Sequence, residues 1–300
     1  MLYLKVMKHR QINWEDARYL LSIARVGQLG KAAKSLGVSV MTLSRHLNQL
    51  QTRLGSTLLT RHSKGMQLTN EGARLVEYLE RAEAEIEAAS SIFDQTGRPV
   101  SGAVRVAAPE GFALKVLTPR LDALTSAHPE LKLEIVSQPP GFSLSRREAD
   151  VAVMVGKPSE PQFHFESLGT YRLGVYASRD YAEHHSLPEH VDELSSHRLV
   201  GYVEDLLFSQ RLNVARSLWS GWQSNIAISS PVAQVEAVKA GLGIGVLHEF
   251  LLDNTDGLLP VFPDLELSRE FFLVSHPNMD RIPRIHTVLD FMRSLRNAVH

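Results

Sequence analysis

Side chains that could recognise a polyanion are concentrated in a short stretch near the N-terminus. Leucines recur at helical spacing between residues 43 and 54, and Ser39 is a good N-cap for the helix that they predict. The outward positions near the start of this helix form a mixed apolar and polar face: Val40, Met41, Thr42, Ser44, Arg45 and Asn48. Because the N-terminal residues of a helix in the major groove of DNA reach base edges, this face is a candidate for base recognition. Val40 and the Thr42 methyl group would contact thymine methyl groups, and Arg45 would bind a guanine edge or a phosphate.

Lysines near this helix supply the charge that binding to a polyanion needs. Lys31 and Lys34 open the preceding helical segment and suit phosphate contacts. Lys64 lies in a basic turn, residues 61–65, between two strand-like runs that predict a wing, and it suits the minor groove or its phosphates. Residues 1–75 hold twelve Lys and Arg against three Asp and Glu, a net +9, and the remaining residues are net −10. This asymmetry favours a nucleic-acid-binding head, with a solvated basic surface as the alternative.

The elements that must position these side chains form a helix-turn-helix pattern. Apolar spacing between Trp14 and Val26 predicts a first helix. A shorter helix follows and ends at Gly37, a residue type that tolerates the left-handed cap conformation. The short glycine-containing turn from there to Ser39 is typical of the motif.

A long helix is predicted after Thr69, and its apolar residues form a narrow seam. They fall at positions 75, 79, 82, 86, 89 and 93, in steps of four and three. Such a heptad seam needs a partner, and the remainder of the helix is charged. We therefore expect dimerisation through this helix, with packing against its own domain as the alternative.

The chain beyond residue 99 alternates strand-like and helix-like runs. The strand-like runs are 104–108, 131–136, 150–155, 172–178, 199–203, 225–229, 243–247 and 271–275. The helix-like runs include 113–126, 231–240 and 284–297. This alternation predicts the α/β class, with a mostly parallel sheet covered by helices.

These features resemble the LysR-type family of transcriptional regulators along nearly the whole chain. The segment LGKAAKSLGVSVMTLSRHLNQLQTRLGSTLLTRHSKGMQLTNEG has the family's paired Ala, Leu-Ser-Arg and Leu-Thr-x-x-Gly at the usual intervals. Further matches follow in order: Pro119, residues 128–131, residues 149–153 and residues 240–245. By this resemblance Val40, Met41, Thr42, Ser44 and Arg45 occupy the family's DNA-contacting positions.

The resemblance also implies the domain organisation. A winged helix-turn-helix would occupy residues 12–70, and a linker and dimerisation helix would occupy residues 71–98. The effector-binding domain, residues 99–300, would have two lobes like those of periplasmic binding proteins. Lobe I would comprise about 99–167 and 268–300, and lobe II about 168–267. The chain would cross between the lobes near 165–170 and 265–270, and these crossings would act as the hinge.

A small-molecule effector is implied for the cleft between the two lobes. Its candidate contacts lie on strand-to-helix turns: Pro109, Glu110, Phe112, Ser137, Gln138, Tyr202, Ser229 and Ser230. The alternatives are that Ser230 is an ordinary helix start and that Tyr202 is part of the core. Glu110 could point to solvent or cap the helix near Phe112. If Glu110 instead faces the cleft, the effector should be neutral or cationic, because a carboxylate ligand would be repelled.

The partners implied are double-stranded DNA with an imperfect inverted-repeat operator, the effector, and a second copy of the chain in a homodimer or dimer of dimers. RNA polymerase is a further candidate partner. The sequence departs from the family in three places. Met7 is a candidate initiator beside Met1, and Val40 and Met41 stand where many members carry polar residues or Pro. His248 stands where Pro is common, and we interpret it as a local loop change.

The composition limits the classes of protein function that remain possible. The chain contains no cysteine, no apolar run long enough for a transmembrane helix and no secretory signal, which predicts a cytoplasmic protein. Gly241-x-Gly243-x-Gly245 follows a helix and enters a strand, the reverse of a phosphate loop, so no cofactor is predicted. A histidine cluster at 184, 185 and 190 indicates an exposed connection rather than a metal site. A solute-binding protein and an enzyme with a DNA-binding appendage are the rival classes; the basic head disfavours the first, and no catalytic constellation supports the second.

Overall fold

Two units, divided in the sequence near residue 97, make up the computed structural model. The structure describes residues 12–62, 65–91, 99–137, 149–158, 163–207, 213–253, 257–276 and 279–298. Within these ranges, no helix combines the length and the apolar character needed to cross a membrane. The finer domain and lobe boundaries stay predictions.

Three helices surround the core of the N-terminal unit. They are α1 Trp14–Val26, α2 Leu29–Leu36 and α3 Val40–Leu54. Asn13 caps α1 by accepting from the Glu15 N–H, and glycines in the left-handed conformation end all three helices. Ala32 and Ala33 are buried where α2 meets the other helices, together with Leu20, Leu43 and Leu50. The predicted helix-turn-helix is confirmed.

A two-stranded antiparallel wing follows the third helix. It consists of β1 Leu59–His62 and β2 Gly65–Leu68. The wing lies close to the end of α1, because the Met66 N–H donates to the Gly27 carbonyl at 2.7 Å. A Cβ at position 65 would lie 2.3 Å from that carbonyl oxygen, so this approach requires Gly65. Lys64 lies outside the described residues.

The long helix α4, Asn70–Ser91, divides into two parts. Val76 and Leu79 are buried in the core of the N-terminal unit, and Leu75 packs against that core. Farther along, Ile86 is 45% exposed. The seam therefore packs partly on its own domain, and its described later positions, 82, 86 and 89, are exposed. Seam position 93 lies outside the described residues.

A mixed sheet is the frame of the C-terminal unit. Among the described residues its strands are β3 Gly102–Ala108, β4 Leu131–Ser137, β5 Val151–Val155, β6 His164–Ser178, β7 Leu199–Gly201, β8 Ile226–Ala227, β9 Ile244–His248, β10 Leu258–Pro260 and β11 Leu267–Ser275. Their order is β4-β3-β5-β11-β6-β9-β7-β8, with β10 paired to β6. β3 is parallel to β4 and β5, and β7 is parallel to β8 and β9. The remaining pairings are antiparallel, so the expectation of a mostly parallel sheet was wrong for the centre.

The two central strands β6 and β11 connect the two halves of this sheet. They pair antiparallel along their length, and the register shifts between Phe271 and Phe272. Opposite this point, Gly169 has a φ of 127°, a conformation that favours glycine. The irregularity lies close to the two predicted crossings. The sequence predicts a strand only over residues 172–178, so a strand that continues through both halves was not expected.

Helical segments connect the strands. The α-helices are α5 Glu110–Phe112, α6 Leu121–Ala127, α7 Arg179–His184, α8 Val214–Leu218, α9 Pro231–Lys239 and α10 Pro283–Ser294. Between α5 and α6 lie a π-helical turn, Ala113–Leu117, and a 3₁₀ turn, Thr118–Arg120. Other 3₁₀ turns cover Val191–Ser196, Glu204–Leu206, Glu249–Leu251, Met279–Arg281 and Leu295–Ala298. The predicted helix at 113–126 is therefore a series of short turns, since Pro119 cannot donate a helical hydrogen bond.

Candidate functional site

The N-terminal end of α3 is capped as the sequence predicts. Ser39 Oγ accepts from the Thr42 N–H at 3.0 Å, and the two hydroxyl oxygens lie 2.9 Å apart. The Thr42 hydroxyl thus takes part in the cap, and its methyl group is the part left for a base. This cap fixes the first turn of the helix, where the predicted base contacts lie.

The outer face of α3 is exposed and largely free of internal partners. Met41 is 82% exposed and Val40 is 46% exposed. The Arg45 side chain is exposed and forms no hydrogen bond or ion pair with another residue that the structure describes, whereas Ser44 is half-buried. Such a side chain keeps its donors for an external acceptor.

An open groove of about 840 Å³ borders this face. Its walls are Asn13, Asp16, Met41, Ser44, Arg45, His46, Asn48, Gln49, Thr52 and Arg53. Lys31 and Lys34 are exposed on the neighbouring α2. Within the N-terminal unit, three of the predicted contacts on α3, Met41, Ser44 and Arg45, therefore line this groove.

A buried carboxylate ties α1 to α3 behind the exposed face. The Asp16 side chain is 1% exposed and accepts from His46 Nδ1 at 2.6 Å and from the guanidinium of Arg53. The His46 ring also contacts Tyr19 edge to face, with 4.8 Å between ring centroids. Because an unpaired buried carboxylate is costly, this cluster fixes the position of α3 relative to α1.

In the C-terminal unit, the predicted effector contacts Glu110 and Ser230 meet directly. Ser230 Oγ donates to Glu110 Oε2 at 2.7 Å and accepts from the Ala233 N–H at 3.1 Å. Glu110 thus neither points only to solvent nor caps α5. Pro109 is half-buried beside it, and Ser137 and Ser229 are exposed at the ends of their segments. Gln138 lies outside the described residues.

Phe112 is fully buried. Its ring packs edge to face on Phe271 at 5.0 Å, and Phe271 stacks on Tyr171 at 4.4 Å. In this conformation no ligand reaches Phe112. The side chain instead supports the turn that carries Glu110.

His248 is part of the sheet, so its interpretation as a local loop change was wrong. It ends β9, and its Nε2 lies 3.1 Å from the Tyr202 hydroxyl. Its ring stacks on Tyr171 at 5.4 Å between centroids. Burial, with a smaller effect of the Arg269 charge, lowers the pKa of His248 to about 4.

Tyr202 places a polar hydroxyl group beside the His248 ring. Burial raises the pKa of its hydroxyl, and the nearby charge of Glu110 raises it further. The Tyr171 hydroxyl is buried without a hydrogen-bond partner in the described part of the chain. The adjacent cavity, bounded by Tyr202, His248 and Gln234, has about 10 Å³, the room of at most one water molecule. A larger ligand requires these side chains to move.

Comparison with known proteins matches both units. A family described as "Bacterial regulatory helix-turn-helix protein, lysR family" matches residues 14–73. A family described as "LysR substrate binding domain" matches residues 97–296, about two thirds of the chain. The chain belongs to the LysR family of transcriptional regulators.

Relatives agree with this assignment. An HTH-type transcriptional regulator of Xanthomonas campestris pv. campestris is 31% identical over 205 residues, which cover 68% of this chain and 58% of that protein. The regulator CrgA of Neisseria meningitidis serogroup C is 25% identical over 286 residues, covering 93% of this chain and 96% of that one. A full-length OxyR structure from Pseudomonas aeruginosa has a similar fold, with a TM-score of 0.74 at 17% identity, and the match covers 94% of this chain and 95% of that chain.

The LysR assignment settles the class of function. The chain is a transcriptional regulator with a helix-turn-helix DNA-binding domain and an effector-binding domain, and the relatives are named as regulators, not enzymes. Regulators of this family bind DNA and small-molecule effectors and form oligomers. Among the described residues, no three His, Asp or Glu side chains are grouped to hold a metal ion.

Two parts of the LysR fold in this chain were missed by sequence reasoning. The cluster of Asp16, His46 and Arg53 had one signal, because Asp16 lies four and seven residues before the buried Leu20 and Ile23. The pairing of Tyr202 with His248 had none, since the two residues lie 46 positions apart. Only the folded sheet brings their strands together.

Proposed function

We propose that this LysR-type regulator reads its operator with the first turns of α3. Val40, Met41, Thr42, Ser44 and Arg45 are the proposed base-reading residues, with Lys31, Lys34 and Lys64 as phosphate or minor-groove contacts. The observation that carries the proposal is the exposed face of α3, where Arg45 has no partner among the described residues. A capped helix with unpaired donors at its N-terminal end is suited to major-groove recognition. A DNA target also supports the expected cytoplasmic location.

The proposed oligomer is a homodimer or a dimer of dimers that uses the later part of α4. The heptad positions that the N-terminal core leaves exposed include Ile86. A two-fold dimer presents two recognition helices, so the proposed operator is an imperfect inverted repeat. RNA polymerase is a further proposed partner at promoters that the regulator activates.

The proposed effector site lies between lobe I, about 99–167 and 268–300, and lobe II, about 168–267. Its proposed contacts are Pro109, Glu110, Ser137, Gln138, Tyr202, Ser229 and Ser230. Phe112 is fully buried, so it is a proposed contact only in a conformation that uncovers its ring. The direct hydrogen bond between Glu110 and Ser230, 120 positions apart, supports this location because it joins the two lobes. The buried, unpaired Tyr171 hydroxyl nearby supports a polar ligand.

The test of the DNA-reading proposal is a gel shift with the DNA upstream of the protein's own gene. We expect Arg45→Ala to weaken operator binding by about 1–3 kcal/mol and to relax specificity at the base pair that Arg45 reads. Arg179→Ala, an exposed arginine of the C-terminal unit, is the matched control and should bind as the wild type does. Unchanged operator affinity in Arg45→Ala would remove Arg45 from the reading face.

A further inference from the structure

Glu110 lies beside the start of a helix of the opposite lobe, a position that favours a negative charge. Ser230 is the N-cap of α9, and its Oγ accepts from the Ala233 N–H. The carboxylate of Glu110 receives the hydrogen of the same hydroxyl. The N-terminal end of a helix carries a partial positive charge, so a carboxylate held there is stabilised.

The Ser230 hydroxyl has no further hydrogen to offer. A hydroxyl group has a single O–H donor, and Glu110 receives it. A second acceptor, such as the carboxylate of a ligand, can therefore bind Ser230 only after Glu110 has left. Within the described residues, no Lys or Arg forms an ion pair with Glu110, so the Ser230 hydroxyl and the start of α9 are what its carboxylate binds.

We propose that Glu110 is a built-in anionic ligand of α9, which joins the two lobes and excludes carboxylates from the N-terminus of that helix. The effector that this cleft selects is then neutral or cationic and donates to Glu110, as an amine or a polyol does. The inference rests on the proposed function, in that it assumes an effector site between the lobes.

Tyr202 lies close enough to Glu110 to be affected by its charge. The charge of Glu110 contributes to the raised pKa of the Tyr202 hydroxyl, so the two groups interact across the lobes. A ligand carboxylate placed beside them would meet the like charge of Glu110. A ligand ammonium or hydroxyl group would instead find acceptors.

A second contact between the lobes provides a matched control. Lys115 Nζ lies 3.1 Å from both carboxylate oxygens of Asp253. This ion pair also joins lobe I to lobe II, yet it does not involve the start of a helix. Lys115→Met therefore removes an interlobe contact without opening a place for an anion.

Chemical rescue of the full-length protein tests the proposal. Glu110→Ala should lower the melting temperature by roughly 2 °C, and sodium propionate should restore it, relative to sodium chloride at equal ionic strength. Propionate should not stabilise the wild type, Lys115→Met or the double variant Glu110→Ala/Ser230→Ala. Failure of propionate to stabilise Glu110→Ala, or equal stabilisation of all four proteins, would overturn the proposal.

A ligand screen separates this inference from the proposed function. Amines, amino acids, polyols and carboxylates are tested for their effect on operator binding by the wild type and by Glu110→Gln. An amine or polyol effect that Glu110→Gln loses supports the inference. A carboxylate that acts equally on both proteins overturns the inference but keeps the effector site. If no compound alters operator binding while propionate rescues Glu110→Ala, the proposed effector function fails and the carboxylate contact stands.

Discussion

The outer face of α3 and the cleft of the C-terminal unit are opposite solutions to ligand binding. On α3 the recognition side chains are exposed, and Arg45 has no partner among the described residues. In the cleft the candidate contacts Glu110 and Ser230 already bind each other, and Tyr202 is paired with His248. DNA is a large, rigid ligand that docks on a preformed surface, whereas a small molecule must replace contacts that the protein makes with itself.

On α3 the contacts that hold the structure rigid lie behind the exposed surface, whereas in the cleft they lie within the candidate site itself. The exposed face of α3 is held from its inner side by Asp16, which pairs with His46 and Arg53. In the cleft, by contrast, candidate ligand-binding groups themselves form a contact between the lobes, as Glu110 and Ser230 do. Substitutions in the first region should therefore change DNA binding without altering the cleft, and the reverse should hold for the second.

The largest expected effect follows from loss of the dimer, which presents two copies of the α3 surface to the operator. Ile86→Asp should disrupt dimerisation and lower operator affinity by about 10²–10⁴-fold, because each half-site loses the linked second contact. Sedimentation velocity and gel shifts on the same samples measure the two effects. Glu77→Gln, on the exposed part of the same helix, is the control.

Leu79 distinguishes the two parts of α4. It is 7% exposed and belongs to the N-terminal core, so Leu79→Asp should unfold the DNA-binding domain rather than only separate the protomers. An Ile86→Asp protein that still sediments as a dimer would exclude residue 86 from the interface.

The second prediction tests whether the buried pair of Tyr202 and His248 controls the stability of the cleft. Burial lowers the pKa of His248 from its usual value of about 6.5 to about 4, so protonation favours the unfolded chain. The contribution of His248 to the free energy of unfolding should be fully present above pH 6.5. It should fall by up to about 1.4 kcal/mol per pH unit as the pH is lowered from 6.5 to 4. Urea unfolding of the wild type and His248→Gln at several pH values isolates this contribution. An identical pH dependence of the two proteins would contradict the assignment.

The sequence predicted the DNA-binding unit better than the cleft, for a physical reason. Helix spacing, Ser39 and the terminal glycines are local signals, and they placed the recognition helix and its cap correctly. The cleft depends on pairs distant in sequence, such as Tyr202 with His248, that no local pattern encodes. The full length of β6 was also missed, because its first half has no simple alternation and pairs with β11 more than a hundred residues later.

A smaller effect is expected when the support behind α3 is weakened. Asp16→Asn should lower the free energy of unfolding by about 1–3 kcal/mol, since it leaves His46 and Arg53 without their shared carboxylate. It should also weaken operator binding more than binding to random DNA, because α3 loses its fixed position while two basic side chains are released. Urea unfolding and gel shifts on both DNAs measure this, with Glu15→Gln as the neighbouring control. An unchanged ratio of operator to random-DNA affinity would show that Asp16 only stabilises the fold.

The smallest effect is expected for an exposed residue beside the reading face. Lys34 is exposed on α2 and its side chain has no hydrogen-bond or ion-pair partner in the described part of the chain, so Lys34→Ala should leave thermal stability unchanged. If Lys34 contacts a phosphate, the substitution should weaken binding to operator and random DNA by the same factor and reduce the slope of log K against log salt by about 1. Titrations at several salt concentrations measure both quantities. A loss confined to the operator would instead assign Lys34 to base reading, and the exposed surface would then extend beyond α3.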